Sequence, residues 1–203
     1  MEIANMDKTI NYYNDNASDF IQGTIDVDFT QAQERFRSKL RSGAYILDFG
    51  CGSGRDTKYF LDQGFNVDAT DGAYMLCKKA SKYTGIKVKH LLFQDFNEKD
   101  KYDGIWACSS ILHLPQNELK EVLLKMIIAL KSTGIIYTSF KYGTFEGERH
   151  GRYFIDFTKE SFRDFIGDID GLKIEEQWVT NDVRPDREEE KWLNLILQKQ
   201  DIN

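Results

Sequence analysis

Apolar positions along this chain recur in two alternating rhythms. Residues 45–49 read YILDF, a short apolar run. Residues 54–64 have helical character, 65–71 alternate and end on an acid, and 73–83 place Met75, Leu76, Ala80 and Tyr83 at helical spacing. The same succession continues with a strand-like stretch at 86–93 and a buried strand at 102–108. A helix over 116–130 carries Leu119, Val122, Leu123, Met126, Ile127 and Leu130 on one face, and a fifth strand runs over 134–140. Strands alternating with helices at this interval predict βαβ units and a parallel sheet, whose right-handed crossovers leave few topologies.

The two ends depart from this rhythm. Upstream, Ile10, Tyr13, Ala17, Phe20 and Ile21 form one helical series and Phe29, Ala32, Phe36 and Leu40 a second. They predict two helices that cover or lid the sheet. Downstream, 158–166 reads as a helix with Thr158 as N-cap. Residues 172–179 and 192–198 then read as two strands with no helix between them, an antiparallel hairpin on one edge. The almost wholly charged link 181–191 reads as a solvated loop.

The chain has 203 residues, a 41% hydrophobic share and 30% charged residues, suited to one generous domain. Three scattered cysteines (Cys51, Cys77, Cys108) give neither a disulfide framework nor metal spacing, so no metal is expected and a cytoplasmic setting is the simpler reading. The N-terminal MEIANMDKTINYYND lacks the apolar core of an export signal. No run approaches the 18 apolar residues of a membrane span. A net charge of −6 without any basic run makes nucleic acid a poor partner.

Chemistry concentrates in ILDFGCGSGRD, residues 46–56. A strand ends at Phe49, Gly50, Gly52 and Gly54 follow, and a helix begins. Glycine lets the chain turn tightly and a ligand approach closely, while the helix start offers free N–H groups. The loop is not the dinucleotide fingerprint, because Arg55 stands where GxGxxG needs glycine. Asp48, two residues before the turn, suits a ligand with an amino group or cation rather than a pyrophosphate. Asp71 ends the second strand 21 residues after Gly50, where a carboxylate can accept from ribose hydroxyls. Asp95 and Phe96 follow the third strand, an acid for an adenine amino group beside a ring to cover its face. A ligand with an α-amino group, a carboxylate and a ribose meets these needs, and S-adenosylmethionine is one.

The order of these segments resembles the class I S-adenosylmethionine-dependent methyltransferases. ILDFGCGSGRD is similar to their first motif, VDATDGAYML to their second, LLFQDF to their adenine motif and YDGIWACSSILHLP to their fourth-strand motif. GRDTKYFLDQGFNVDATDG, the later GRYFIDFT and the lid-like YYNDNASDF resemble most the tellurite-resistance-type small-molecule methyltransferases. The resemblance implies a Rossmann-like α/β fold with a seven-stranded, mostly parallel sheet, helices on both faces, an antiparallel last strand and an N-terminal helical lid. It implies one methyltransferase domain over 1–203, with 1–43 as helices and lid, 44–203 as core and 141–157 as the acceptor-side loop. Tyr13, Asp48, Gly50, Cys51, Gly52, Ser53, Gly54, Arg55, Asp71, Gly72, Asp95, Phe96 and Ser109 would border the cofactor, with S-adenosylhomocysteine as product. Gly72 departs from relatives that carry a polar residue there.

Methyl transfer needs orientation more than a catalytic group. A base is needed only where the acceptor must lose a proton. His113, after the fourth strand, is the candidate base. Tyr12, Lys141, Arg149, Arg152 and Tyr153, with His150, are candidates to hold a polar or anionic small-molecule acceptor, the glycines of that segment suggesting mobility. The alternatives are a non-catalytic S-adenosylmethionine-binding protein and an NAD-dependent oxidoreductase. The subunit state is open between monomer and homodimer.

Overall fold

A computed structural model describes residues 2–184, 187 and 189–200. Seven strands form the main sheet in the order β3-β2-β1-β4-β5-β9-β8. They are β1 (Tyr45–Phe49), β2 (Asn66–Asp71), β3 (Lys89–His90), β4 (Tyr102–Ala107), β5 (Leu130–Lys141), β8 (Leu172–Asn181) and β9 (Lys191–Lys199). The first five pair in parallel, β9 runs antiparallel beside β5, and β8 closes the edge antiparallel to β9. The chain winds outward from β1 to β3, then crosses back to β4 beside β1. That reversal opens a crevice at the carboxyl ends of β1 and β4, where open α/β sheets bind ligands.

Both faces of the sheet are covered. On one, α6 (Gln116–Ala129) and α7 (Lys159–Gly167) bury Leu119, Leu123, Met126 and Phe162 against Phe140 and Leu195. On the other, α3 (Thr30–Arg37) and α4 (Arg55–Asp62) bring Phe36 and Phe60 onto Trp106, which stacks on Tyr137 at 3.9 Å. Below the glycine turn, α5 (Tyr74–Thr84) packs Cys77 and Ala80 against Ala69. Thr158 caps α7 as its sequence indicates, in a reciprocal box with Ser161.

Four local expectations change. The first N-terminal series is two helices, α1 (Glu2–Asp15) and α2 (Ala17–Gln22), because Asn16 leaves helical geometry and its side chain caps Tyr12 O at 2.8 Å. The predicted strand 86–93 shrinks to Lys89–His90. As the outermost strand it has one partner, and the chain then tightens into a 3₁₀ turn over Phe93–Asp95. β5 starts at Leu130 rather than 134, because Leu130 pairs with Tyr102 ahead of a register shift. Within 141–157 the chain forms a hairpin of β6 (Glu146–Arg149) and β7 (Arg152–Ile155). Its two tip residues, His150 and Gly151, both have positive φ, as a two-residue type I′ turn requires.

Among the described residues no helix is long and apolar enough to cross a membrane, and no group of three or more His, Cys, Asp or Glu is placed to hold a metal.

Candidate functional site

The glycine turn forms the floor of the main cleft. Gly50 and Gly52 line it with φ of +84° and +55°. A Cβ on Gly50 would lie 2.5 Å from Ser110 Cβ, and one on Gly52 would lie 2.9 Å from the Phe20 ring of α2. Bare backbone is therefore what lets the turn close under the lid. Beside it Asp71 is buried. Its Oδ2 accepts from Gly52 N at 2.9 Å and its Oδ1 from Ala73 N at 2.8 Å. Burial raises the Asp71 pKa, and the two N–H donors oppose that rise. The carboxylate is thus fixed by backbone at the end of β2 while facing the cleft. Cys51, Ser53, Arg55, Gly72 and Ser109 line the same space, and the Ser109 N–H is anchored to Ser139 Oγ at 2.9 Å.

Four residues expected at the cofactor lie elsewhere. Asp48 is 2% exposed and sits behind the turn, bonded to Thr57 Oγ1 at 2.5 Å. Side chains alternate along a strand, and position 48 points into the layer under α4. Gly54 starts α4 facing away from the cleft, where a Cβ would meet Thr84 Cγ2 at 2.8 Å. Phe96 is buried in the core against Phe49 and Tyr102, and Asp95 is exposed. The 3₁₀ turn at 93–95 shifts the cleft-facing positions to Leu92, Phe93 and Gln94. Gln94 Nε2 donates to Glu118 Oε2 at 2.5 Å, and its Oε1 is buried without a partner.

Asp56, which the sequence did not single out, organises the wall opposite. Its carboxylate accepts Arg55 Nε and Nη2, each at 2.8 Å, Trp106 Nε1 at 2.8 Å and Gln33 Nε2 at 2.7 Å. Burial would raise its pKa, but the Arg55 charge and these donors leave it lowered. Asp48, buried nearby and facing the Asp56 charge, is raised instead. Arg55 stacks on Phe29 at 4.6 Å, so its guanidinium is held flat against the cleft wall.

His113 and the lid meet on the far side. Nδ1 lies 2.6 Å from the Tyr153 carbonyl, which can only accept, so Nδ1 carries the proton. Nε2 then accepts from the Tyr13 hydroxyl at 2.8 Å. Burial pushes the imidazole pKa down to about 4, against the raising effect of the Tyr153 carbonyl, and burial likewise raises the Tyr13 phenol. α1 is tied down further by Thr9 Oγ1 accepting from Tyr153 N at 3.1 Å.

Of the expected acceptor-side residues, Lys141 and Arg152 line the cleft. Tyr12 is placed beneath the Arg152 guanidinium at 4.4 Å. Arg149 turns to Asp156 at 2.5 Å and stacks on Phe145, and the Tyr153 hydroxyl donates to Glu146 at 2.7 Å. Neighbouring positions along a strand face opposite sides, so Tyr153 points away from the face of Arg152, whereas Arg149, the cross-strand partner of Arg152, shares that face and is drawn along the hairpin to Asp156. His150 sits exposed at the hairpin tip. The link 181–191, of which 185, 186 and 188 lie outside the described residues, is exposed at 181, 183, 187, 189 and 191 as its charge predicts, and it also reaches the cleft. Asp182, Val183, Arg184 and Arg187 from this link line the cleft. Asp182 is buried, accepting Trp192 Nε1 at 2.9 Å and Arg184 Nη2 at 2.5 Å, and its pKa falls to about 2. The sequence signal available for this was Asp182 two residues from Arg184, ahead of Trp192.

The profile of a family described as "methyltransferase domain" matches residues 46–134, which hold the glycine turn, Asp71, Gln94 and His113. An uncharacterised protein of Methanocaldococcus jannaschii is 33% identical over 113 residues, covering 51% of this chain and 30% of that protein. N-terminal Xaa-Pro-Lys N-methyltransferase 1 of Bos taurus is 33% identical over 124 residues, covering 54% of this chain and 56% of the bovine one. The alignments thus span between about a third and just over half of these curated relatives. Among solved structures, the 1,6-didemethyltoxoflavin-N1-methyltransferase of Burkholderia thailandensis, crystallised with 1,6-didemethyltoxoflavin and S-adenosylhomocysteine, superposes with a TM-score of 0.82 at 19% identity, covering 99% of this chain and 91% of that one. This protein has the Rossmann-like fold of the S-adenosylmethionine-dependent methyltransferases.

Proposed function

We propose that the chain is an S-adenosylmethionine-dependent methyltransferase acting on a small molecule held in the cleft between the glycine turn, the lid and the 181–191 link. The observation that carries this reading is the Asp71 carboxylate, locked by Gly52 and Ala73 N–H groups beside bare glycine backbone at the topological switch point. The site fits the cofactor on two counts. A Cβ at Gly50 would fill the cradle, and the unpartnered Gln94 Oε1, beside Phe93 and Leu92, matches the amino group of an adenine.

In this reading Asp71 takes the ribose hydroxyls and Gln94 the adenine edge. Ser53, Arg55, Ser109 and Tyr13 border the methionine end, with S-adenosylhomocysteine as product. The cofactor supplies a methyl group already made electrophilic by its sulfonium. The protein's part is to orient and to keep water out. Phe20 sits over Gly52, Ile10 over Gly72 and Tyr13 against His113. Orientation of this kind can lower a barrier by roughly 7–11 kcal/mol. Where the acceptor must lose a proton, the lone pair of His113 Nε2 is the group to receive it, through the Tyr13 hydroxyl. The subgroup reading, a tellurite-resistance-type enzyme, rests on the stretches 54–72 and 151–158, and three free thiols support a cytoplasmic setting.

Calorimetric titration with S-adenosylmethionine and S-adenosylhomocysteine tests the proposal. Micromolar binding is expected, weakened about tenfold or more by Asp71→Asn, which leaves one backbone N–H without its acceptor. Absence of binding to both ligands in the folded wild type would overturn it. Binding without turnover in a broad acceptor screen would favour the non-catalytic binder.

A further inference from the structure

Five basic side chains line the cleft, and four face a carboxylate. Arg55 pairs with Asp56 at 2.8 Å and Arg184 with Asp182 at 2.5 Å. Glu190 answers Lys141 and, at 3.6 Å, Arg187. Even Arg149, on the same hairpin but outside the cleft, is paired with Asp156. Arg152 differs. Among the described residues no carboxylate pairs with it, its buried Nε has no partner, and its one hydrogen bond runs from Nη1 to the Tyr13 hydroxyl at 3.4 Å. Aromatic rings surround its guanidinium carbon, with centroids at 4.4 Å (Tyr12), 5.1 Å (Phe154) and 5.7 Å (Tyr13).

A guanidinium has five N–H donors in a planar fork. Stacking on rings holds the plane but satisfies none of those donors, and a half-buried cation without an anion is costly. The residue most able to repay that cost is a ligand oxyanion, which a guanidinium takes in bidentate fashion. The position matters as much as the charge. Arg152 stands on β7 rather than on the β1 and β2 ends that carry the glycine turn and Asp71, and its guanidinium donates to the same Tyr13 hydroxyl that bonds His113 Nε2.

We infer that the methyl acceptor is an anion, a small planar carboxylate or equivalent oxyanion, and that Arg152 receives it within the Tyr12–Phe154 ring cage. This rests on the methyltransferase reading above. The same fork could instead take the carboxylate of the cofactor's methionine end, and the experiment separates the two.

The test is calorimetric titration of the whole chain, saturated with S-adenosylhomocysteine, with benzoate and with benzamide, its neutral near-isostere. Benzoate is expected to bind and benzamide to bind about tenfold more weakly or worse. Arg152→Gln should weaken benzoate about tenfold while changing S-adenosylhomocysteine affinity less than about threefold. Arg149→Gln should change neither. Arg152→Lys keeps the charge without the fork and is expected to fall between; it also serves where Arg152→Gln fails to fold. Equal affinity for benzoate and benzamide, no benzoate binding, or unchanged benzoate affinity in folded Arg152→Gln would overturn the inference. So would a loss confined to S-adenosylhomocysteine, which would give Arg152 to the cofactor. Failure of S-adenosylhomocysteine to bind wild type would instead sink the cofactor reading. The benzoate comparison is then made on the free protein, where Arg152 answers for itself by the same criteria.

Discussion

The Tyr13 hydroxyl donates to His113 Nε2 across 2.8 Å, joining the lid helix to the turn after β4. The imidazole is fixed at both nitrogens, Nδ1 to the Tyr153 carbonyl and Nε2 to Tyr13. Its orientation therefore depends on α1 being closed. The candidate base and the lid are one unit, and an open lid would free the lone pair and unlock the ring together.

His113 is expected to remain neutral from pH 5 to 8, because burial lowers its pKa to about 4. In the unfolded chain it titrates near about 6.5. Between those values the unfolded state binds the proton that the native state refuses. The stability it contributes is thus complete above about 6.5 and lost as pH falls through about 4. The chain has three histidines, so NMR titration with His113→Gln as assignment control resolves it. A midpoint near 6.5 in the folded protein would refute the burial argument. Tyr13→Phe should cost about 1–2 kcal/mol in urea unfolding, by leaving the Nε2 lone pair unsatisfied.

Asp48 and Asp56 share one buried layer with a single guanidinium, and Asp56 holds it. Asp48 is therefore raised above the ordinary carboxylate range, by burial first and by the Asp56 charge second. A raised acid makes its contribution below its unfolded pKa of about 4 and loses it as pH climbs toward neutrality. Asp48→Asn is expected to gain on wild type in urea midpoint as pH rises from 5 to 8. A constant offset across that range would show Asp48 to be ionised throughout. Asp56→Ala, by contrast, strands Arg55 and should cost about 3–5 kcal/mol at any pH above 5.

Gly72 receives the lid. A Cβ there would come within 2.6 Å of Ile10 Cδ1 and 3.3 Å of Leu92 Cδ2. Gly72→Ser is expected to loosen α1 by about 1 kcal/mol, seen as roughly fivefold faster amide exchange over that helix with the β-sheet unchanged. Ile10→Val in the same chain should restore much of the protection. Faster exchange through β1 and β4 as well would mean global damage rather than a loosened lid.

Much of this arrangement was legible in the residues themselves. The alternation of rhythms set a parallel sheet with a late antiparallel hairpin, because each strand and helix must bury one face locally. The glycine turn and Asp71 were legible because backbone geometry and strand ends constrain residue type directly. The 3₁₀ turn at 93–95 was not. It exists because β3 is a two-residue edge strand, and it moved the cleft-facing role from Asp95 and Phe96 to Phe93 and Gln94.

The sequence by itself determined the sheet, the ligand-facing turn and the acid that ends β2, since these follow from local periodicity and from glycine's freedom. Only the tertiary structure decided which charges stay available. Whether a given arginine meets a carboxylate depends on how the loops and turns around it fold, with Asp182 under Arg184 and Trp192, Asp156 turned to Arg149, and Asp56 gathering the distant Gln33 and Trp106 beside Arg55. Arg149 and Arg152 stand opposite each other in the hairpin register, and Arg152 is distinguished because Asp156 takes Arg149 and leaves it without a carboxylate. That register follows from the two-residue turn at His150 and Gly151, and a slip of one residue would exchange the inward face for the outward one.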